Sequence, residues 1–248
     1  MRFLTLSSTL LFCVPVSSLL ADENHHSHHD DFDVQPFFVE PADRHNALIF
    51  DYGFRSGDEG NEHEIGFELE YAFNERFGVI LEQGFLFLDG SEGLGDLAVV
   101  PRVFLVESES FYLTANLEVE IPTGDSTLTS DEVALAPSLS ARWDVDGGWA
   151  VHGQFGVETA LDSDETELFT RIALIHGVGA SDKLAMILES EFAVGVGGDE
   201  SGDVHAEGVV GLSYAMRENF ATRLGFQFPI SSPREFDAGF IVGGVFTF

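Results

Sequence analysis

The stretch EHEIGFELEYAF, residues 62–73, alternates with almost no errors. In an extended strand successive side chains point to opposite faces. Ile65, Phe67, Leu69, Tyr71 and Phe73 therefore share one face, and Glu64, Gly66, Glu68, Glu70 and Ala72 share the other. A period of two argues against a helix and leaves two folds. In a soluble sandwich the aromatics would enter a core and the glutamates would be solvated. In a membrane barrel the pattern turns inside out, with aromatics on lipid and glutamates on a lumen.

The rest of the chain decides between them. Alternating segments recur near 45–55, 62–73, 76–88, 96–107, 110–122, 132–144, 148–160, 166–180, 183–196, 204–217, 219–229 and 236–248, with no helix-period segment between them. Strands of soluble sheets average about five or six residues, whereas a tilted membrane strand needs about nine to eleven. Most of these segments reach the longer figure. The connections SGDEGNE, DGSEGLG, TGDSTLTSD, DSDE, GGDESGD and ISSPRE are expected to be the longer, acid-rich set. NE, SES, VDGG and EN are short, and the two kinds alternate. The expected fold is an all-β, antiparallel, up-and-down transmembrane β-barrel of about twelve strands in the bacterial outer membrane. Phe236, Phe240, Phe246 and Phe248 share one parity in the last segment. A terminal Phe248 resembles the signal that the barrel assembly machinery reads.

Residues 1–21 pair one charge, Arg2, with an apolar run and a small residue at Ala21, the pattern of a signal peptide. The only cysteine, Cys13, lies inside it, which removes disulfides and a thiol nucleophile from residues 22–248. Residues 22–43 read as a flexible, His/Asp-rich tail and residues 44–248 as the barrel domain. A formal net charge of −32 disfavours nucleic acid and anionic membrane surfaces as partners. Twenty-four phenylalanines argue against disorder. Outer-membrane lipids and small solutes or cations are the partners that such a chain suits.

With aromatics placed outside, the inward acids are Asp51, Glu64, Glu68, Glu70, Glu82, Glu118, Glu120, Glu158, Glu189, Glu191, Glu207 and Asp237. The inward arginines are Arg102, Arg142, Arg171 and Arg223. Glu118 and Glu120 fall between Arg102 and Arg142, and are expected to be offset by them. Asp51, Glu64, Glu68, Glu70, Glu82 and Asp237 have no basic neighbour by strand order. They form the candidate selectivity wall, with Arg102 and Arg142 beside it. The plainer reading is a solvated lumen wall without selectivity. In the tail, His25, His26, His28 and His29 stand beside Asp30 and Asp31, a donor set suited to zinc, nickel or copper. A polar spacer is the competing reading. His205 and Glu207 form the best acid–histidine pair, a spacing that arises easily by chance in so acidic a chain. No nucleophile–base constellation points to an enzyme, and no cofactor is called for.

The middle of the chain reads GLGDLAVVPRVFL (93–105), LEVEIPTGDS (117–126) and ALAPSLSARW (134–143). A Gly-Leu-Gly-Asp turn opening a strand, followed by a strand ending in Pro-Thr-Gly-Asp, resembles a bacterial outer-membrane family described as transporters of the phenol meta-cleavage pathway. The resemblance implies a transport barrel and carries no catalytic residues with it. The resulting expectation is an outer-membrane channel or passive transporter for small solutes, favouring cations. The other open reading is a non-conducting structural or metal-scavenging barrel that uses its acidic loops and histidine-rich tail.

Overall fold

Of the two folds that such alternation allows, a sandwich or a sheet closed on itself, the chain adopts the closed sheet. The computed structural model describes residues 34–248, apart from 58–59, 89, 131, 180–182, 199–200, 233 and 235. The strands are β1 (Ala47–Gly57), β2 (Gly60–Ala72), β3 (Phe77–Leu88), β4 (Ser91–Glu107), β5 (Phe111–Ile121) and β6 (Ala134–Val145). They continue with β7 (Trp149–Ala160), β8 (Thr166–Val178), β9 (Leu184–Gly197), β10 (Val204–Arg217), β11 (Phe220–Pro229) and β12 (Ala238–Thr247). Each pairs with its sequence neighbour, and β12 returns to β1 from Ala47↔Thr247 to Ser56↔Ala238. A closed antiparallel barrel has no free edge, so its backbone groups are paired without water.

The opening stretch lies as the parity requires. Phe67, Tyr71 and Phe73 are exposed on the outer wall, while Glu70 is 0% exposed inside. The outer surface is a band of large apolar side chains, Leu48, Leu139, Leu188, Leu212, Leu224 and Phe226 among them. Trp149 stacks on His176 at 4.1 Å beside the short 146–148 turn, where Gly147 and Gly148 adopt positive φ. An amphipathic aromatic pair of this kind suits the rim of a bilayer.

Connection lengths differ in part from the sequence expectation. At one end the turns 73–76, 108–110, 146–148 and 218–219 are short; at the other, 122–133, 161–165, 198–203 and 230–237 are longer. The first two acid-rich connections are not long loops. Pairing continues through Arg55↔Glu62 to Gly57↔Gly60, and through Phe87↔Glu92 to Leu88↔Ser91. Gly60 and Gly90, at φ +131° and +92°, allow these tight closures.

Two end residues depart from the expected parity. Asp237 precedes β12, is exposed, and pairs with Arg234 at 2.7 Å, so it is not part of a lumen wall. Phe236 turns inward to 6% exposure under the Arg55 guanidinium instead of facing lipid. Both sit where the ladder has not yet imposed alternation.

Candidate functional site

The lumen is occupied by the chain itself. Residues 34–46 form a strap inside the barrel, with Val34, Gln35, Val39, Ala42 and Asp43 buried. Residues 34–43 are therefore not the free end of a flexible tail. A segment without a strand partner must find other partners for its amides and carbonyls. The barrel wall supplies them. Glu189 of β9, 1% exposed, accepts the amides of Phe37 (2.8 Å), Phe38 (2.7 Å) and Val39 (2.7 Å). Arg171 of β8 donates to the Phe38 carbonyl, Arg223 of β11 to that of Pro36, and Thr114 of β5 to that of Ala42. Gln154 of β7 accepts the Glu40 amide at 3.1 Å.

Side chains complete the seat. The Phe37 ring lies 5.1 Å from the Arg223 guanidinium and against Gly211, where a Cβ would stand 2.5 Å from the ring. Val34 packs on Ile175, Ala185 and Ile187. Asp43 pairs with Arg142 at 3.1 Å, and Arg44 with Glu107 at 3.4 Å. Burial opposes ionisation of Asp43, but His45 and Arg142 outweigh it and hold its carboxyl below the usual range. Glu40 goes the other way: burial pushes it up, and Glu70 adds to that against the pull of Arg102. Gln35 Nε2 and His45 Nε2 stand 2.8 Å apart, so the two ends of the strap meet. The strap is thus a loop entering from the short-turn end, with residues 37–40 at its tip.

The charge map differs from the one expected by strand order. Asp51 is paired with Arg223 in a close two-bond contact over Gly243 of the intervening β12. Glu70 pairs with Arg102 at 3.0 Å and meets His45 at 2.9 Å. Arg142 spends its charge on Asp43 and Asp144, Arg171 on Glu191, and Arg55 on Glu207. Glu118 and Glu120, expected to be offset by Arg102 and Arg142, have no ion-pair partner among the described residues; neither have Glu64, Glu68 and Glu82. Arg171 meets Glu191 on the adjacent strand as strand order expects, but Arg102 and Arg223 each reach over one intervening strand, and Arg142 turns to the strap and to its own strand.

Those five carboxylates lie together. Glu68 and Glu82 face each other in the β2–β3 register, Ala98 follows on β4, and Glu120 faces Ala98 from β5. The five line a cavity of about 400 Å³ whose wall also includes Asp96, Arg55 and Arg223, and whose strap side is Phe37 and Phe38. A second cavity of about 240 Å³ runs beside Glu40, and a third of about 360 Å³ lies by His205, Glu207 and Arg55. Phe38 lines all three, as a stopper at the centre of the barrel.

The glycine-aspartate segments also meet. The Gly124 amide donates to Asp96 Oδ1 at 2.8 Å, the Asp125 amide to the Leu94 carbonyl at 2.9 Å, and the Leu97 amide to Thr123 Oγ1 at 3.1 Å. GLGD and PTGD are thus two halves of a clasp that folds the 122–133 loop onto β4. From 134–143, Ser138 and Ser140 bond Asn116 and Gln154 in the wall beneath the strap.

A protein-family model described as "Putative MetA-pathway of phenol degradation" matches residues 79–243, which include both halves of the clasp. The chain belongs to this family. Solved structures extend the likeness to the whole barrel. The COG4313 outer membrane channel from Pseudomonas putida F1 superposes with a TM-score of 0.66 at 12% identity, over 87% of this chain and 100% of that one. The NanC porin gives 0.62 at 9% identity, over 81% and 99%. The KdgM porin gives 0.56 at 15% identity, over 82% and 99%. No match is found among curated protein sequences. With family, closed barrel and apolar belt together, the protein is an outer-membrane β-barrel.

Of the residues singled out in the sequence, Asp51, Glu64, Glu68, Glu70 and Glu82 face the lumen with Arg102 and Arg142, whereas Asp237 does not. His25, His26, His28, His29, Asp30 and Asp31 lie outside the described residues. The strap is what sequence reasoning missed. Its trace was available: VQPFFVEPA, residues 34–42, places apolar residues and two prolines in a segment read as polar tail.

Proposed function

We propose that the protein is an outer-membrane channel for small solutes, and that its lumen favours cations. The reading rests on one observation: five carboxylates, Glu64, Glu68, Glu82, Glu118 and Glu120, line one cavity of the barrel with no ion-pair partner among the described residues. Directly opposed like charges such as Glu68 and Glu82 weaken a sheet. Arg55 and Arg223 share the cavity wall but are paired with Glu207 and Asp51, which leaves the five acids to a mobile cation. A lumen of this class is only several ångströms in radius, comparable to the Debye length of about 8 Å at physiological salt. Mobile ions therefore screen the wall incompletely, and low-dielectric sides concentrate its field. The porins and the channel that this barrel resembles support the channel reading as a class, and the wall adds the sign of the charge.

The strap supports a second reading, a barrel that does not conduct. Planar-bilayer recording decides between them. Openings whose reversal potential across a salt gradient shows cation preference are expected from the wild type. Glu64, Glu68 and Glu82 changed together to Gln should move that potential toward zero. An anion-selective wild type, or an undiminished cation preference in the triple variant, ends the charge reading. Silence from both the full chain and a folded chain without the strap ends the channel reading.

A further inference from the structure

We infer that residues 34–43 are a displaceable plug, latched on Glu189, that holds the lumen closed until it withdraws toward the short-turn end. The inference rests on the channel reading. Its first support is topological. The strap adds no strand to the sheet, and the barrel closes through β1 and β12 without it. Both of its ends meet at Gln35 and His45, so it can leave as one loop without threading past any strand.

The second support is the kind of contact that holds it. A structural plug fills a lumen with interlocking apolar side chains. This one hangs on polar ties, most of them from its backbone to single side chains: Glu189, Arg171, Arg223, Gln154 and Thr114. Water can replace each tie as the strap moves, because exchanging protein for solvent hydrogen bonds costs little net free energy. Glu189 dominates the set: one carboxylate gathers three consecutive amides, and bonds to an ionised acceptor are about twice as strong as neutral ones. Apolar packing adds to these ties: Phe37 lies against Gly211 and Gly225, Val34 on its small cluster, and Val39 and Ala42 are buried.

The third support is a force for release. The strap carries Glu40 into a cavity that Glu68, Glu82, Glu118 and Glu191 also line, together with Arg171, which is paired with Glu191. Crowded carboxyls oppose the seating of the loop's tip while Glu189 restrains it. Such a balance suits a gate rather than a permanent filling.

The test compares single-channel conductance of four chains, each first shown to be a folded barrel by its altered gel migration before boiling. Wild type should open rarely. A chain lacking residues 34–43 should stay open. Glu189→Gln should raise open probability at least about tenfold, which at 1.4 kcal/mol per decade is less than one charge-assisted bond contributes. Ala42→Cys with Thr114→Cys puts a thiol on each of two residues already in contact, since the Thr114 hydroxyl donates to the Ala42 carbonyl at 2.5 Å. Oxidation should abolish openings, and reductant should restore them. If the oxidised pair conducts like wild type, or the strapless chain conducts no more than wild type, the plug is refuted while the channel stands. If the strapless chain is folded and both it and the wild type are silent, the channel reading fails instead. Should it not fold, Glu189→Gln and the thiol lock decide alone: unchanged open probability in both refutes the latch.

Discussion

At the scale of single residues, two acids of the same sequence pattern have opposite weights. Glu70 is 0% exposed and bound to Arg102, itself 3% exposed. Removing one partner of a buried pair leaves the other charge without compensation, at about 3–5 kcal/mol. Asp237 is exposed and faces only Arg234, and surface pairs contribute about 0–1 kcal/mol. Urea unfolding from vesicles should therefore show Glu70→Ala lowering stability by several kcal/mol and Asp237→Asn by less than about 1 kcal/mol. Equal losses would mean that the Glu70–Arg102 pair is solvated. Alternation made the inward face of Glu70 legible in the sequence. It could not reveal the partner, because Arg102 lies two strands away and its reach depends on lumen width. The Asp51–Arg223 pair was illegible for the same reason.

At the scale of elements, the strands were legible and the segments between them much less so. A strand repeats one physical requirement every second residue, and five or more repetitions along strands of at least 10 residues leave little ambiguity. A turn depends on one or two residues, and the first two acid-rich connections were absorbed into β1–β2 and β3–β4 by Gly60 and Gly90. The strap has no period at all, since its backbone is satisfied by side chains from distant strands. The clasp lies between these extremes: its glycines were visible as motifs, and their reason is contact. A Cβ on Gly124 would stand 2.7 Å from both the Gly95 carbonyl carbon and the Leu94 oxygen. These are backbone atoms that cannot step aside. Gly124→Ala should detach the 122–133 loop from Asp96 and Leu94, with the barrel intact. Limited proteolysis should then cut within 122–133 in the variant and not in wild type, while the unboiled gel shift persists. Equal resistance in both would show that the loop is held by something other than this clasp.

At the scale of the whole molecule, stability is divided between two surfaces that obey opposite rules. The inner one is a polar network closed on itself through the strap; the outer one is apolar and has no internal partner. Leu224 lies midway along β11, 52% exposed, opposite Leu212 in the β10 register. In water such exposure would be a liability; in a bilayer it is the seat of the fold. An arginine on the lipid face of a barrel costs about 2–4 kcal/mol at the midplane and about 0–1 kcal/mol near an interface. Val204, exposed at the first position of β10, lies at the long-loop end. Reversible refolding into vesicles should show Leu224→Arg losing about 2–4 kcal/mol and Val204→Arg about 0–1 kcal/mol. The graded result follows only if lipid covers the band evenly from rim to middle. A loss at Leu224 no larger than that at Val204 would place Leu224 outside the hydrocarbon, and with it the assignment of the outward face to lipid that the alternation of residues 62–73 first required.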